Sequence, residues 1–276
     1  MTTRACGLLL SVMVSFAFCA TSFAQDSSVA GIPLSAERKT NYFSVATEIS
    51  NYRYTEPMMK LTGTMVGFSA EYLNNGGVGY IRKSTPIQLR ARLNYMYGEL
   101  DYNGRNQLGT PVKTSGESHY FVDMVFAGGL GFKIMEGFSI SPYFGFGYRY
   151  LVDKDDGNTG DYKREQTYYY LPIGADWRTS LTRGWKITVN AELDFLLRGE
   201  NTTDLTKYGE GKLNFRQNTG YGFRSSVKVE KDLKSLGIFA EPFFRHWDIK
   251  RSDTVDNWYE PKNKTQEFGL KIGVSF

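Results

Sequence analysis

The chain has 276 residues with 33 Lys and Arg against 29 Asp and Glu, a formal net charge of +4. Its cations are scattered rather than clustered, which excludes a basic nucleic-acid-binding face. Nineteen Tyr, nineteen Phe and twenty-nine Gly suit strands and tight turns far better than helices.

Residues 1–24 carry one cation, Arg4, then an apolar run from Ala5 to about Ala20, and end on Ser22-Phe23-Ala24. That pattern predicts a cleaved secretory signal peptide with the mature chain starting near Gln25. Both cysteines, Cys6 and Cys19, fall inside it, so the exported chain is expected to hold no disulfide and no thiolate metal site. After Ala24 no apolar run approaches the ~18 residues of a membrane helix. Residues 25–40 read as an N-terminal segment, and 41–276 as one β domain.

From residue 42 onward an apolar/polar period of two recurs, the signature of strands whose two faces see different surroundings. The first strands are 42–54, 61–73 and 87–98; in the third, Ile87, Leu89, Ala91 and Leu93 alternate with Gln88, Arg90, Arg92 and Asn94. The next are 119–132, 139–151, 167–177 and 185–198, then 220–230, 238–249 and the terminal run. In that run Phe268, Leu270, Ile272, Val274 and Phe276 share one side. The count is ten, with eight as the alternative if the first hairpin is misread. Short connections (135–138, 180–184, 232–236) alternate with long polar ones (102–117, 153–166, 200–217, 251–264), as in an up-and-down meander. The stretch 74–85 is too long for a tight turn and reads as an irregular extension of its two strands. Pro142, Pro172 and Pro242 lie within strands and are expected at bulges or strand ends, because each lacks a ladder donor.

Alternation alone fits a soluble sandwich or a barrel in a bilayer. Strand lengths of 10–13 residues favour a tilted bilayer crossing, which takes roughly 9–11. Charges decide more sharply, since a Lys or Arg on a lipid face costs ~2–4 kcal/mol at mid-depth. The predicted charges fall on the opposite, lumen side. They are Glu48, Glu71, Asp123, Asp176, Glu192, Asp194, Glu230, Glu241 and Glu267 with Arg90, Arg92, Arg149, Arg224, Lys228, Arg245 and Lys271. Trp177 and Trp185 flank one short turn and Tyr148, Tyr150 and Tyr169 one long loop, like two interface girdles. The fold expected is therefore all-β: a single up-and-down antiparallel transmembrane β-barrel with short periplasmic turns and long extracellular loops.

The export signal, the even strand count and the final strand ending on Phe276 resemble Gram-negative outer-membrane β-barrels. "SPYFGFGYRY" (141–150) is similar to the Pro-Tyr-x-Gly-containing strand of outer-membrane protein A-like and opacity-like barrels, and the strand number is similar to that of omptins. The resemblance implies an outer-membrane location. It implies lipid and lipopolysaccharide as surroundings, and the barrel-assembly machinery as reader of residues 268–276. No cofactor or metal is expected. "DKDDGNTGD" (153–161) lacks calcium-hand spacing, and "NNGGVG" (74–79) does not stand between a strand and a helix as a phosphate cradle requires.

Around eight strands leave a lumen that side chains fill, so ten lined by paired charges predict a nearly closed one. The expected role is structural or surface-binding (adhesion-type) through the extracellular loops, with an unidentified ligand. A small-solute channel is the alternative, and an outer-membrane enzyme (omptin-like protease or lipid A-modifying) a weaker one. Past the signal the histidines are His119 and His246. His246 and Asp248 share a strand face, and Asp101 and Asp123 lie in strands able to approach His119. Omptins pair an Asp–His couple with a second Asp pair. "HWD" (246–248) reverses that order, the second pair has no match, and no His-x-Ser like that of lipid A deacylases occurs.

Overall fold

A computed structural model describes residues 41–276 apart from 83–84, 106–108, 155–161, 210, 234 and 256. The predicted signal peptide and N-terminal segment lie outside the described residues. Twelve strands run in order: β1 (Asn41–Thr55), β2 (Met59–Arg82), β3 (Thr85–Arg105), β4 (Pro111–Leu130), β5 (Phe132–Met135) and β6 (Phe138–Asp153). They continue as β7 (Lys163–Ser180), β8 (Trp185–Asp204), β9 (Lys212–Gln217), β10 (Gly220–Leu233), β11 (Leu236–Ile249) and β12 (Asn263–Ser275).

These make ten staves. β4 and β5 are one stave in one register against β6, since Gly129 faces Tyr143 and Phe132 faces Ile140. β9 and β10 form another, pairing with the upper and lower parts of β8. Every neighbour is antiparallel, and β1 closes the ring on β12. The last residue is tied down there: Phe276 N–H donates to the Phe43 carbonyl at 2.8 Å. Through the ring each stave is paired on both sides, while β9 and residues 111–118 of β4 run on above it paired on one side only.

One end of the barrel carries the short turns and both strand termini; the other carries the longer connections. At the turn end, Gly137 adopts φ +75°, a left-handed conformation that glycine takes without a Cβ clash. The β2–β3 hairpin runs on irregularly there, with register shifts between Asn74 and Gly79, as its sequence implied. The loop-end connection after β1 is brief, Glu56 N–H donating to the Met59 carbonyl at 2.8 Å.

Two expectations change. The prolines do not shift register. Pairing simply skips Leu171–Pro172 opposite Gly145–Phe146 and Glu241–Pro242 opposite Val227–Lys228, then resumes in phase. Pro142 sits where β4 gives way to β5, again in phase. A missing N–H removes a ladder bond but leaves the spacing intact. Alternation breaks elsewhere, at a bulge at Leu197, where Tyr169 faces Arg198 but Tyr170 faces Leu196, and between β3 and β4, where Leu100 faces Glu117 but Tyr102 faces Thr114. Secondly, strands reach into stretches expected as loops: β3 to Arg105, β4 from Pro111, β8 to Asp204 and β9 within 200–217. Apolar alternation fades there because the wall's outer face turns polar, which removes the sequence signal but not the ladder.

Candidate functional site

The barrel interior divides into two storeys. The storey nearer the turn end is ionic and begins with side chains projecting at every second position. Glu48 on β1, Arg90 and Arg92 on β3 and Glu241 on β11 converge because inward positions of neighbouring strands stand at one height. Arg90 pairs with Asp176 and reaches Glu71 at 3.4 Å. Lys228 joins Glu71 at 3.1 Å to Glu241 at 3.5 Å. Lys271 links Glu241 at 3.6 Å to Glu48 at 3.7 Å. Arg245 bridges Glu48 at 2.8 Å and Glu267 at 3.3 Å.

The same chain of contacts continues across the lumen. Arg149 joins Glu267 at 3.2 Å to Asp123 at 3.6 Å. Arg224 grips both oxygens of Asp123, Nη1 at 3.0 Å and Nη2 at 2.8 Å, and donates from Nε to Asp194 at 2.6 Å. It also lies 3.4 Å from Glu192, which receives Arg92 at 2.6 Å. Thus the structure strings fifteen of the sequence-predicted lumen charges, seven cations and eight carboxylates, into one unbroken network. Glu230 stands apart near the turn end, accepting from Tyr42 Oη at 2.8 Å. Most of these groups are buried, and a buried charge left single is far costlier than one held in a pair.

Above lies an aromatic storey that the sequence reading missed. Tyr52 and Tyr54 of β1, Phe121 of β4, Tyr168 and Tyr170 of β7 and Trp247 of β11 pack with Met65, Met96 and Leu100. Tyr170 meets Trp247 edge-on, centroids 5.1 Å apart. The storeys interlock where the Tyr170 hydroxyl donates to Asp123 at 2.9 Å and the Arg149 guanidinium lies 4.1 Å over Phe121. Tightness forces glycine at 147, since a Cβ there would stand 2.1 Å from the Tyr170 ring.

At the loop end the mouth is stoppered. Arg164, first inward residue of β7, donates to Glu56 at 2.6 Å, to Asp153 at 2.8 and 3.0 Å, and to Glu260 at 3.3 Å. Glu260 belongs to the connection between β11 and β12, which folds inward on itself. Its N–H donates to Ser252 Oγ at 2.8 Å, and Ser252 N–H to its carbonyl at 3.0 Å. Burial pushes the Glu260 carboxyl up to about 8; Glu56 and Asp153 add to the rise and Arg164 opposes it.

His119 meets neither predicted carboxylate. Asp101 points outward into solvent and Asp123 is held by Arg224, whereas His119 Nδ1 bonds Asp153, its cross-strand partner on β6. The register that sets Asp123 opposite Arg149 also sets His119 opposite Asp153. His119 Nε2 is buried without a partner, its ring 5.0 Å from Tyr52. His246 faces outward with Nδ1 at 3.0 Å from the Thr265 carbonyl, while Asp248 on the same face is taken by Lys250 and Lys264 at 3.1 and 3.2 Å. Among the described residues no cluster of His, Cys, Asp and Glu could hold a metal.

The outer wall holds the remaining predicted positions. Phe268, Ile272 and Phe276 are exposed along β12, with Leu270 and Val274 on the same side. Trp177 and Trp185 are exposed near the turn end. Tyr148, Tyr150 and Tyr169 lie toward the loop end, the first and last with centroids 5.5 Å apart, and Tyr150 donates to Glu165 at 2.8 Å.

No protein-family model and no curated protein sequence matches the chain. Solved structures do. The outer membrane protease OmpT from Escherichia coli superposes with a TM-score of 0.52 at 9% identity, covering 88% of this chain and 98% of that one. Neisserial surface protein A aligns at 0.34 and 11% identity, over 84% of this chain and 95% of its own. Ail, the attachment invasion locus protein of Yersinia pestis, aligns at 0.34 and 10%, over 86% and 99%. At such identities the likeness is one of fold: the chain is a closed ten-stave barrel of the outer-membrane type.

Proposed function

We propose that this is an integral outer-membrane protein with a closed lumen, acting as a structural or surface-binding (adhesion-type) protein through its loop end. The observation that carries the reading is the unbroken ion network, which crosses the lumen from β3 to β12 and leaves its charges paired with each other rather than facing a water-filled bore. An apolar outer wall with aromatics near both ends supports insertion in a bilayer. A channel would need a continuous aqueous path, and the aromatic storey stands across it.

An enzymatic reading would have to run through His119 and Asp153, because His246 has no carboxylate of its own. That imidazole is buried, which favours a structural role. Conductance in a planar bilayer tests the main proposal. The refolded parent is expected to show no steady current, and the Arg90→Ala and Asp123→Ala variants to stay closed as well, because the aromatic storey still blocks the path. A reproducible pore in the parent would make the protein a small channel. Loss of proteolysis or lipid A processing in a His119→Ala variant would revive the enzyme.

A further inference from the structure

We infer that the connection between β11 and β12 is a lid latched onto Arg164, and that the latch releases as pH rises. Four chain segments meet at that guanidinium: the turn after β1 through Glu56, the end of β6 through Asp153, β7 itself, and the lid through Glu260. None of the other three needs Arg164 to stay in place, because each is anchored in the barrel ladder. Between Ile249 and Asn263 the lid has its own Val255–Trp258 bridge and two backbone bonds near its start, Lys250 N–H to the Thr219 carbonyl at 2.9 Å and Asp253 N–H to the Arg216 carbonyl at 3.3 Å. Gln217 Nε2 also donates to the Lys250 and Pro261 carbonyls at 3.0 and 3.3 Å, tying down the two ends. Past Asp253 its inward grip is concentrated in Glu260, which also accepts from Gln166 Nε2 at 3.5 Å, and in the Ser252–Glu260 ring.

The charge balance at the latch is uneven. Three carboxylates face one guanidinium, with His119 bonded to the far side of Asp153. The other polar groups turned toward this point are phenols and an amide: Tyr54, Tyr102, Tyr162, Tyr168 and Gln166. None of them brings a second positive charge. A closed lid accommodates Glu260 best as the neutral acid, as its rise to about 8 reflects. Swung out into water, the same carboxyl returns toward its ordinary value near 4.5. The closed state thus holds a proton that the open state gives up. Closure is complete below the open-state value, weakens as pH climbs toward 8, and changes no further above it. The closed-to-open ratio shifts by up to about tenfold per pH unit inside that window, for one linked proton. The inference does not depend on what the loop end binds.

A nitroxide at position 258, through Trp258→Cys in the otherwise cysteine-free exported chain, reads lid mobility in refolded protein. The expected result is an immobile spectrum at pH 6 and a mobile component that grows up to about pH 8 and then levels off. In that background Glu260→Gln should stay immobile at every pH from 5 to 9, and Arg164→Met should be mobile throughout. His119→Gln should leave the pH response in place. A parent spectrum indifferent to pH would overturn the inference. So would a Glu260→Gln variant that still responds, or a response abolished by His119→Gln alone. If Arg164→Met does not refold, the comparison of parent with Glu260→Gln decides.

Discussion

The two storeys of the lumen obey one alternation with opposite polarity. On β3, Arg90 and Arg92 point in while Leu89 and Leu93 point out; higher on the same strand, Met96 and Leu100 point in while Glu99 and Asp101 point out. β1 repeats the switch from Glu48 inside and Ile49 outside to Tyr54 inside and Arg53 outside, and β11 from Glu241 to Trp247. The physical reason is register. A slip of one residue exchanges the faces of a strand, and it is costly only where the faces differ. Where the outer wall is apolar, an apolar interior would let staves slide. Charges inside prevent it. Where the outer wall is polar, an ordinary apolar core serves, and the barrel there is built like a soluble protein.

The largest expected effect comes from breaking the ionic storey at its densest point. Arg224→Met leaves Asp123, Asp194 and Glu192 without their shared cation and should cost about 3–5 kcal/mol in urea unfolding of the refolded protein. Adding Asp123→Asn to it should cost far less than the sum of the two single changes, because members of one network are not additive. Additive costs would mean the groups act separately.

Next in size is a pair of substitutions on one strand that tests the polarity switch from outside. Ile272 is 61% exposed at the centre of the apolar row on β12, so Ile272→Arg should cost about 2–4 kcal/mol. Gln266, also outward but higher on the strand, should accept arginine within about 0.5 kcal/mol. Equal costs would place both positions in the same surroundings and remove the basis for the switch.

Gly147→Ala tests the seam between the storeys. Its Cβ would collide with the Tyr170 ring, whose hydroxyl is pinned between Asp123 and Arg224, so the ring has little room to retreat. Overpacking of this kind should cost about 1–3 kcal/mol, read in the same unfolding assay.

The ionic storey was legible in the sequence because its signal is local. Long charged side chains at every second position, opposite an apolar row, mark the inward face without any knowledge of pairing. The aromatic storey was not. Tyr52 and Tyr54 share a face with Glu48, so a rule that puts apolar residues outside counts them with the lumen yet gives no hint that they form a core. Asp153 was hidden for a related reason: it opens an acidic run that looks like loop, and only the β4–β6 register brings it to His119. The Leu197 bulge was also invisible, since Leu196-Leu197-Arg198 reads as smooth alternation failing at a strand end. The lid lay furthest from view, because Glu260 is one carboxylate in a polar stretch and its burial depends on Arg164 almost a hundred residues away.

The smallest expected effect isolates solvent as the variable. Arg198 pairs with Glu200 two residues on, much as Arg224 pairs with Asp194, but both partners project outward above the bulge, 50% and 41% exposed. Water screens that attraction, and holding two long side chains together costs entropy, so such exposed pairs contribute ~0–1 kcal/mol. Arg198→Ala should therefore change stability by less than about 1 kcal/mol, and raising salt to 0.5 M should erase even that. Arg224→Met should keep most of its penalty at the same salt, because its partners are sealed inside the wall. If both variants respond to salt alike, water reaches the ionic storey, and the closed lumen would have to be given up along with the contrast between the two regions.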